Sequence, residues 1–298
     1  MCRVLCDHQH EVVALSRSGK TIPDVEQSHA VDLATELPSA EVLADVEVVF
    51  HLAGIAHRQA ASHDYEQVNH QATVSLARSA AEAGVSCFVF VSSVRAMGTA
   101  EGALQRAAGD VQAPTDDYGR SKFLAERDLR QACAGGPMSL VILRPALVYG
   151  PGVKGNLQRL AGAVQRGLPR PPERGARSMI SVHDLALLMQ FLGQSPPAGV
   201  HTWVVTDGER YSTRRLYDVL RLASGAGPGR AWLPGWFWRL AAALVDLPGR
   251  GGSEGTYERL FGTELYSNAA LLRDTGWRPR QQFDQDVARM ILDPWGDG

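Results

Sequence analysis

Residues 87–93 read CFVFVSS, five apolar residues followed by two hydroxyls. A run this short and apolar, with no polar alternation, is the pattern of a strand covered on both faces of a parallel sheet. Residues 11–15 (EVVAL) and 46–52 (VEVVFHL) upstream, and 140–143 (LVIL) downstream, have the same character. Helical stretches lie between them, one over about 65–83 and one over 118–133. Strands alternating with helices predict an α/β fold with a doubly wound, Rossmann-like parallel sheet. The final third carries more Pro, Gly and Trp, with breaks at 196–197, 225–229 and 249–252. It reads as a smaller, mostly helical lobe over 151–298, interleaved with a main domain over 1–150.

Bulk properties narrow the function classes. The 298 residues suffice for a large core. Apolar residues make up 45% and charged residues 21%, ordinary for a soluble globular chain. The net charge of −2 gives no global basic field, so no nucleic-acid partner is expected. Four cysteines (Cys2, Cys6, Cys87, Cys133) form no CxxC pair. Neither a metal site nor a disulfide framework is expected, and a reducing, cytoplasmic setting fits. The greasiest stretch, 236–247 (WFWRLAAALVDL), is too short to span a bilayer and is interrupted by Arg239 and Asp246. It is expected to be a buried helix, without stable membrane insertion.

The chemistry centres on residues 118–122, YGRSK. Tyr118 and Lys122 are four apart, on one helical face. A free phenol titrates near ~10, too high for a base at neutral pH, and a nearby cation is expected to lower that value. Such a pair alone is commonly just a solvated helix face. Ser93, however, ends an apolar strand, and open α/β sheets bind ligands at the carboxyl ends of their strands. The bland reading of Ser92 and Ser93 is that they cap the following turn.

The order VSSVRAMG, YGRSK, LRPALVYGPG resembles the extended short-chain dehydrogenase/reductases, the NAD-dependent epimerase/dehydratase family that acts on nucleotide sugars. HLAG at 51–54, Asn69 in VNHQAT, RSMISVHDL at 177–185, Arg259-Leu260 and TGWRP at 275–279 add to the likeness. The resemblance covers the chain from about residue 11 onward. It implies that Tyr118 is the acid/base, Lys122 its partner and a cofactor-ribose ligand, and Ser93 the second hydroxyl. It implies NAD or NADP held by Asp32, Leu33, Leu52, Ala53, Gly54, Asn69 and Pro145 together with Tyr118 and Lys122. It places Ser93, Arg95, Tyr149, Asn156, Arg177 and Arg259 against a nucleotide-sugar substrate, and no metal. Guanidinium suits the diphosphate, because its planar fork pairs with phosphate oxygens. Without the resemblance, both Arg177 and Arg259 would be read as surface salt-bridge partners. Homodimerisation through the helices over 65–83 and 118–133 is expected by the same analogy.

The family also begins with a strand, a GxxGxxG turn and a helix, whose N–H groups hold a pyrophosphate. Here MCRVLCDHQH resembles the tail of that helix, leaving roughly 20 residues unmatched by typical element lengths. Two readings stand: a native start upstream of Met1, which is favoured, or a degenerate chain without the cradle. On either, weak dinucleotide binding and lower stability are expected. Arg17, after the second strand, leans the cofactor towards NADP by accommodating its 2′-phosphate.

The stretch 94–98, VRAMG, lacks the acidic pair of the 4,6-dehydratases, and Met97 stands where epimerases often carry Tyr. Residues 144–156, RPALVYGPGVKGN, most resemble a subgroup tied to surface-polysaccharide synthesis. The expected activity is 4-epimerisation or 4-keto-reduction of a UDP-hexose or UDP-N-acetyl-(6-deoxy)hexosamine. A non-catalytic sugar-nucleotide or cofactor sensor on the same fold, or an inactive truncated form, is the rival.

Overall fold

The computed structural model describes residues 1–56, 60–99, 105–152, 156–227, 229–230, 233–246 and 255–292. In chain order the elements are α1 (Cys2–Asp7), β1 (Val13–Ser16), β2 (Gln27–Ala30), α2 (Ala40–Leu43), β3 (Val48–His51), α3 (Ser62–Tyr65) and α4 (Ala72–Glu82). There follow β4 (Cys87–Val91), α5 (Asp117–Cys133), β5 (Ser139–Pro145), β6 (Leu147–Tyr149), α6 (Asn156–Gln165), β7 (Ala176–Arg177), β8 (Met179–Ser181), α7 (Val182–Gln194) and β9 (Val200–Val205). The chain closes with α8 (Thr213–Ala223), α9 (Gly235–Val245), α10 (Thr256–Phe261), β10 (Thr263–Glu264), α11 (Ala269–Thr275) and α12 (Phe283–Leu292).

The main sheet is parallel, in the order β3-β4-β5-β9. β4 and β5 are its centre, so both faces of each are covered. All seven residues of β5 are buried, which is why this strand reads as apolar without alternation. One face carries α4 and α5, through Leu76, Ala77, Ala80, Ala125 and Leu129 against Phe88, Phe90 and Ile142. The other carries α7, through Leu185, Leu188 and Leu192 against Val89, Val141 and Trp203. β9 and α7 thus belong to the main sheet although they lie beyond residue 151.

β1 and β2 pair in parallel with each other and form a separate two-stranded sheet over a small core of Val12, Ala14 and Val25. Among the described residues no ladder joins β1 to β3. α1 lies against α7. The second lobe is mostly helical, around Leu157, Val164, Leu216, Leu220, Phe283 and Val287.

Two expectations change here. Most of the apolar stretch lies in a helix, α9 (Gly235–Val245), but not a buried one: Trp236 is 66% exposed and Leu240 52%. Trp238 and Ala242 alone of its described large or small apolar side chains are buried. The helix expected over 65–83 is interrupted by a π-helical stretch, Glu66–Gln71, between α3 and α4.

Candidate active site

β4 ends at Val91, and the chain turns through a 3₁₀ stretch, Val94–Met97, capped by Ser93 Oγ accepting from Arg95 N at 3.2 Å. α5 begins opposite. Asp116 caps it by accepting from Gly119 N at 2.9 Å, and Asp117 sits in its positive first turn. The same Asp116 pairs with Arg95 at 3.2 Å, tying the helix start to the 3₁₀ stretch. Gly119 makes this approach possible, because a Cβ there would stand 2.6 Å from Arg95 O. The half-buried Tyr118 is thereby brought to the end of β4, where its hydroxyl shares a hydrogen bond with Ser93. The Tyr65 ring lies edge-on to it at 6.3 Å.

One turn on, Lys122 is buried and donates to Val91 O at 3.0 Å, with its ammonium 4.6 Å from the Phe90 ring centre. Burial brings its pKa down to about 8, opposed by the Glu126 carboxylate. The expected effect on Tyr118 is not what this arrangement shows. Burial raises the phenol pKa, while the Ser93 hydrogen bond and the Arg95 charge pull it back. Lys122 is spent on Val91 and Phe90, so the phenol keeps its proton here.

Asn69 lies on the π-helical stretch, an irregularity found often at functional sites. Its side chain is wholly buried and fully used: Oδ1 accepts from Ile55 N at 2.7 Å, and Nδ2 donates to Ile55 O at 2.9 Å and Ser121 Oγ at 3.1 Å. This clamps the segment after β3, including Gly54, beside Lys122. A Cβ at Gly54 would lie 2.9 Å from Asn69 Oδ1 and 3.4 Å from Lys122 Nζ. Gly54→Ala is therefore expected to break the Asn69–Ile55 pairing and cost about 1–2 kcal/mol, read as a lower urea midpoint; an unchanged midpoint would remove the clamp.

Behind the site, the buried His51 is 2.9 Å from Thr73 Oγ1. Thr73 gives its own proton to Asn69 O, so His51 Nε2 is the donor and the ring is neutral. Burial and the Lys122 charge hold its pKa down to about 3.

A lysine held below its ordinary pKa costs stability while charged. That cost is complete below about pH 8 and fades as pH rises towards the unfolded value. Lys122→Met is thus expected to stabilise the fold by about 2 kcal/mol at pH 7 after loss of the Val91 bond. Melting curves should show that gain shrinking by pH 10; a melting temperature lowered at pH 7 contradicts the assignment.

Residues 1–206 match the family described as NAD dependent epimerase/dehydratase. The chain belongs to this family. Among curated relatives, a UDP-glucose 4-epimerase of Vibrio cholerae is 33% identical over 84% of this chain and 76% of its own. A 2-alkyl-3-oxoalkanoate reductase of Stenotrophomonas maltophilia is 29% identical over 97% of this chain and 94% of its own. Among solved structures, MoeE5 in complex with UDP-glucuronic acid and NAD superposes with a TM-score of 0.78 at 23% identity, covering 98% of this chain and 93% of that one. At that identity the likeness concerns the fold.

The other residues singled out in this epimerase/dehydratase sequence fall into four groups. Arg17, Asp32, Leu52, Ala53, Gly54 and Pro145 stand at or just beyond the carboxyl ends of β1, β2, β3 and β5, the edge where α/β sheets take ligands. Arg17 is exposed, Leu52 is 48% exposed, and the Asp32 carboxylate accepts from Ala34 N at 3.1 Å. Leu33 instead leans on the α4–α5 core. Arg177 lies in β7, opposite Glu264 of β10, so the segment bearing it meets the one that follows α10, which holds Arg259. The side chains of Asn156 and Arg259 lie outside the described residues.

Tyr149 is a correction. It was expected to face a substrate, yet it is 1% exposed and packs on Tyr211 and Phe283. Its hydroxyl is 3.3 Å from Asp207 Oδ2 and 3.1 Å from Gln281 O. It is a core residue of the second lobe.

Sequence reading missed Glu126 and Arg144. Glu126 is 1% exposed and receives Arg144 Nε at 2.8 Å, Arg144 Nη2 at 2.5 Å and Ser92 Oγ at 2.6 Å. A charged residue inside the apolar run SLVILRP, and an acid four residues beyond Lys122, were the available signals.

Proposed function

We propose that this chain carries out proton transfer at O4 of a UDP-hexose or UDP-N-acetyl-(6-deoxy)hexosamine, as a 4-epimerase or 4-keto-reductase in surface-polysaccharide synthesis. The observation that carries the reading is the Tyr118–Ser93 hydroxyl pair at the end of β4 with the buried Lys122 one turn behind it. The name of the Vibrio cholerae relative supports a UDP-sugar and position 4. The resemblance of 144–156 supports the polysaccharide role.

The cofactor is NAD or NADP, which when bound supplies or accepts the hydride. The residues fit its nicotinamide and ribose end, since a glycine at 54 leaves the edge beside Asn69 and Lys122 without a Cβ. Lys122 and Tyr118 would hold the ribose, Leu52, Ala53, Gly54 and Pro145 would line the strand edge, and Asp32 and Leu33 would meet the adenine. Arg17 favours a 2′-phosphate. No strand–glycine turn–helix unit occurs among the described residues, so no residue is assigned to the dinucleotide's diphosphate.

In this reading Tyr118 gives its proton to O4 when the ketone is reduced and takes one when the alcohol is oxidised. Ser93 holds the same oxygen in place. Arg95, Arg177, Arg259 and Asn156 bind the nucleotide and sugar. Residues 1–150, completed by β9 and α7, form the dinucleotide side and the rest of 151–298 the substrate side, and two copies pair through α4 and α5.

The test is direct. The protein is incubated with UDP-glucose or UDP-N-acetylglucosamine and NAD, and with a UDP-4-keto-6-deoxy-N-acetylhexosamine and NADPH or NADH. Nuclear magnetic resonance of the sugar follows inversion at C4, and absorbance follows nicotinamide oxidation. Inversion without net oxidation marks an epimerase; one hydride consumed per sugar marks a reductase. Dinucleotide or UDP-sugar binding with neither product would overturn catalysis in favour of a sensor.

A further inference from the structure

α9 is an unusual surface helix. Trp236, Leu240 and Ala243, spaced i, i+4 and i+7, make one exposed stripe, and Phe237 flanks it at 36% exposure. The opposite side is seated: Trp238 meets the Phe261 ring of α10 at 5.9 Å, and Ala242 is buried. The apolar stripe is thus presented outward by a helix whose other side is anchored.

Charge is one-sided along it. Gly235–Val245 contains no acid, and its one charged residue, Arg239, is exposed with its guanidinium 5.5 Å from the Tyr257 ring. Arg230, in the approach to the helix, is exposed too. The acid at its far end, Asp246, is turned onto α10, receiving Thr256 N at 2.7 Å and Thr256 Oγ1 at 2.6 Å. Exposed Glu258 belongs to α10.

We infer that α9 docks the protein reversibly on an anionic lipid bilayer, with Trp236, Phe237 and Leu240 entering the interface and Arg239 meeting phosphate headgroups. Exposed tryptophan and phenylalanine beside an arginine are the side chains that favour a membrane–water interface. The exposed side chains offer on the order of 300 Å², against roughly 800 Å² per partner in a stable protein interface. A bilayer needs no such area, since each side chain inserts on its own account. The helix has 11 residues, far short of a span, so it lies along the surface. This inference stands independently of the sugar-nucleotide reading.

The experiment is co-sedimentation of the full chain with vesicles of phosphatidylcholine alone and of phosphatidylcholine with a third phosphatidylglycerol. The expected result is binding to the anionic vesicles, weakened by salt. The double variant Trp236→Ser with Leu240→Gln should lose at least tenfold in bound fraction at an unchanged melting temperature. Arg239→Gln should keep weak binding and lose the preference for anionic vesicles. Absence of binding to anionic vesicles, or equal binding by the double variant, overturns the inference. So does a dimer in solution that the double variant converts to monomer without affecting vesicle binding, which would make the stripe a contact between copies.

Discussion

Tyr118→Phe is expected to lower kcat on the UDP-sugar by about a thousandfold, in the range that a positioned acid/base contributes. The substitution removes one oxygen and leaves the ring against Tyr65, so folding and ligand affinity should hold. The hydroxyl is the group that Ser93 shares a hydrogen bond with, and it remains protonated because burial outweighs the Ser93 and Arg95 contributions. A protonated phenol is ready to donate in the reductive direction. Ser93→Ala should cost less, because it removes an orienting hydrogen bond and not the proton carrier. A Phe variant within tenfold of the parent kcat, in the assay that detects the parent's product, would take Tyr118 out of the chemistry.

Glu126→Ala is expected to destabilise the fold by about 3–5 kcal/mol, the cost of leaving a buried charge unpaired. Arg144 is 3% exposed and has both of its inner nitrogens on this carboxylate, and Ser92 donates to the same group. Removing the acid strands the guanidinium with only Ala108 O at 2.8 Å on its third nitrogen. Changing both partners to Met should recover most of the loss, since a buried pair replaced by apolar side chains is often close to neutral. Urea titrations of the parent, Glu126→Met, Arg144→Met and the double Met variant form the cycle that isolates the coupling. Additive single losses would show that the pair is not coupled. Ser92 adjoins Ser93 and Glu126 lies one turn from Lys122, so the single variants should also lose activity beyond their loss of folded protein.

The elements nearest the proposed chemistry were the most legible. CFVFV was read as a strand and is β4, residue for residue; 118–133 was read as a helix, and α5 starts one residue earlier. Both are local patterns, and both carry strong signals of burial or spacing. β9 was missed because VHTWVV sits among Pro and Gly breaks and becomes a strand by pairing with β5, a contact made across sixty residues. Tyr149 was misplaced because what buries it, Asp207, Tyr211, Gln281 and Phe283, comes from distant segments. The exposure of α9 was invisible for the same kind of reason: composition reports that a helix is apolar but not which neighbours cover it. Glu126 and Arg144 were legible only as a pair, and neither signals the other along the chain.

The separation of β1 and β2 from the main sheet has a consequence for hydrogen exchange. Their core is Val12, Ala14 and Val25, a small fraction of the apolar surface that holds β4 and β5. Units with so few buried contacts open at free energies well below the global value. The amides of Val13–Ser16 and Gln27–Ala30 should therefore exchange as a group, long before those of Cys87–Val91. Arg17 and Asp32 ride on that unit, so a dinucleotide that engages them must also close it. Protection factors there would then rise with ligand concentration, as would those of β4, whose opening also dissolves the site.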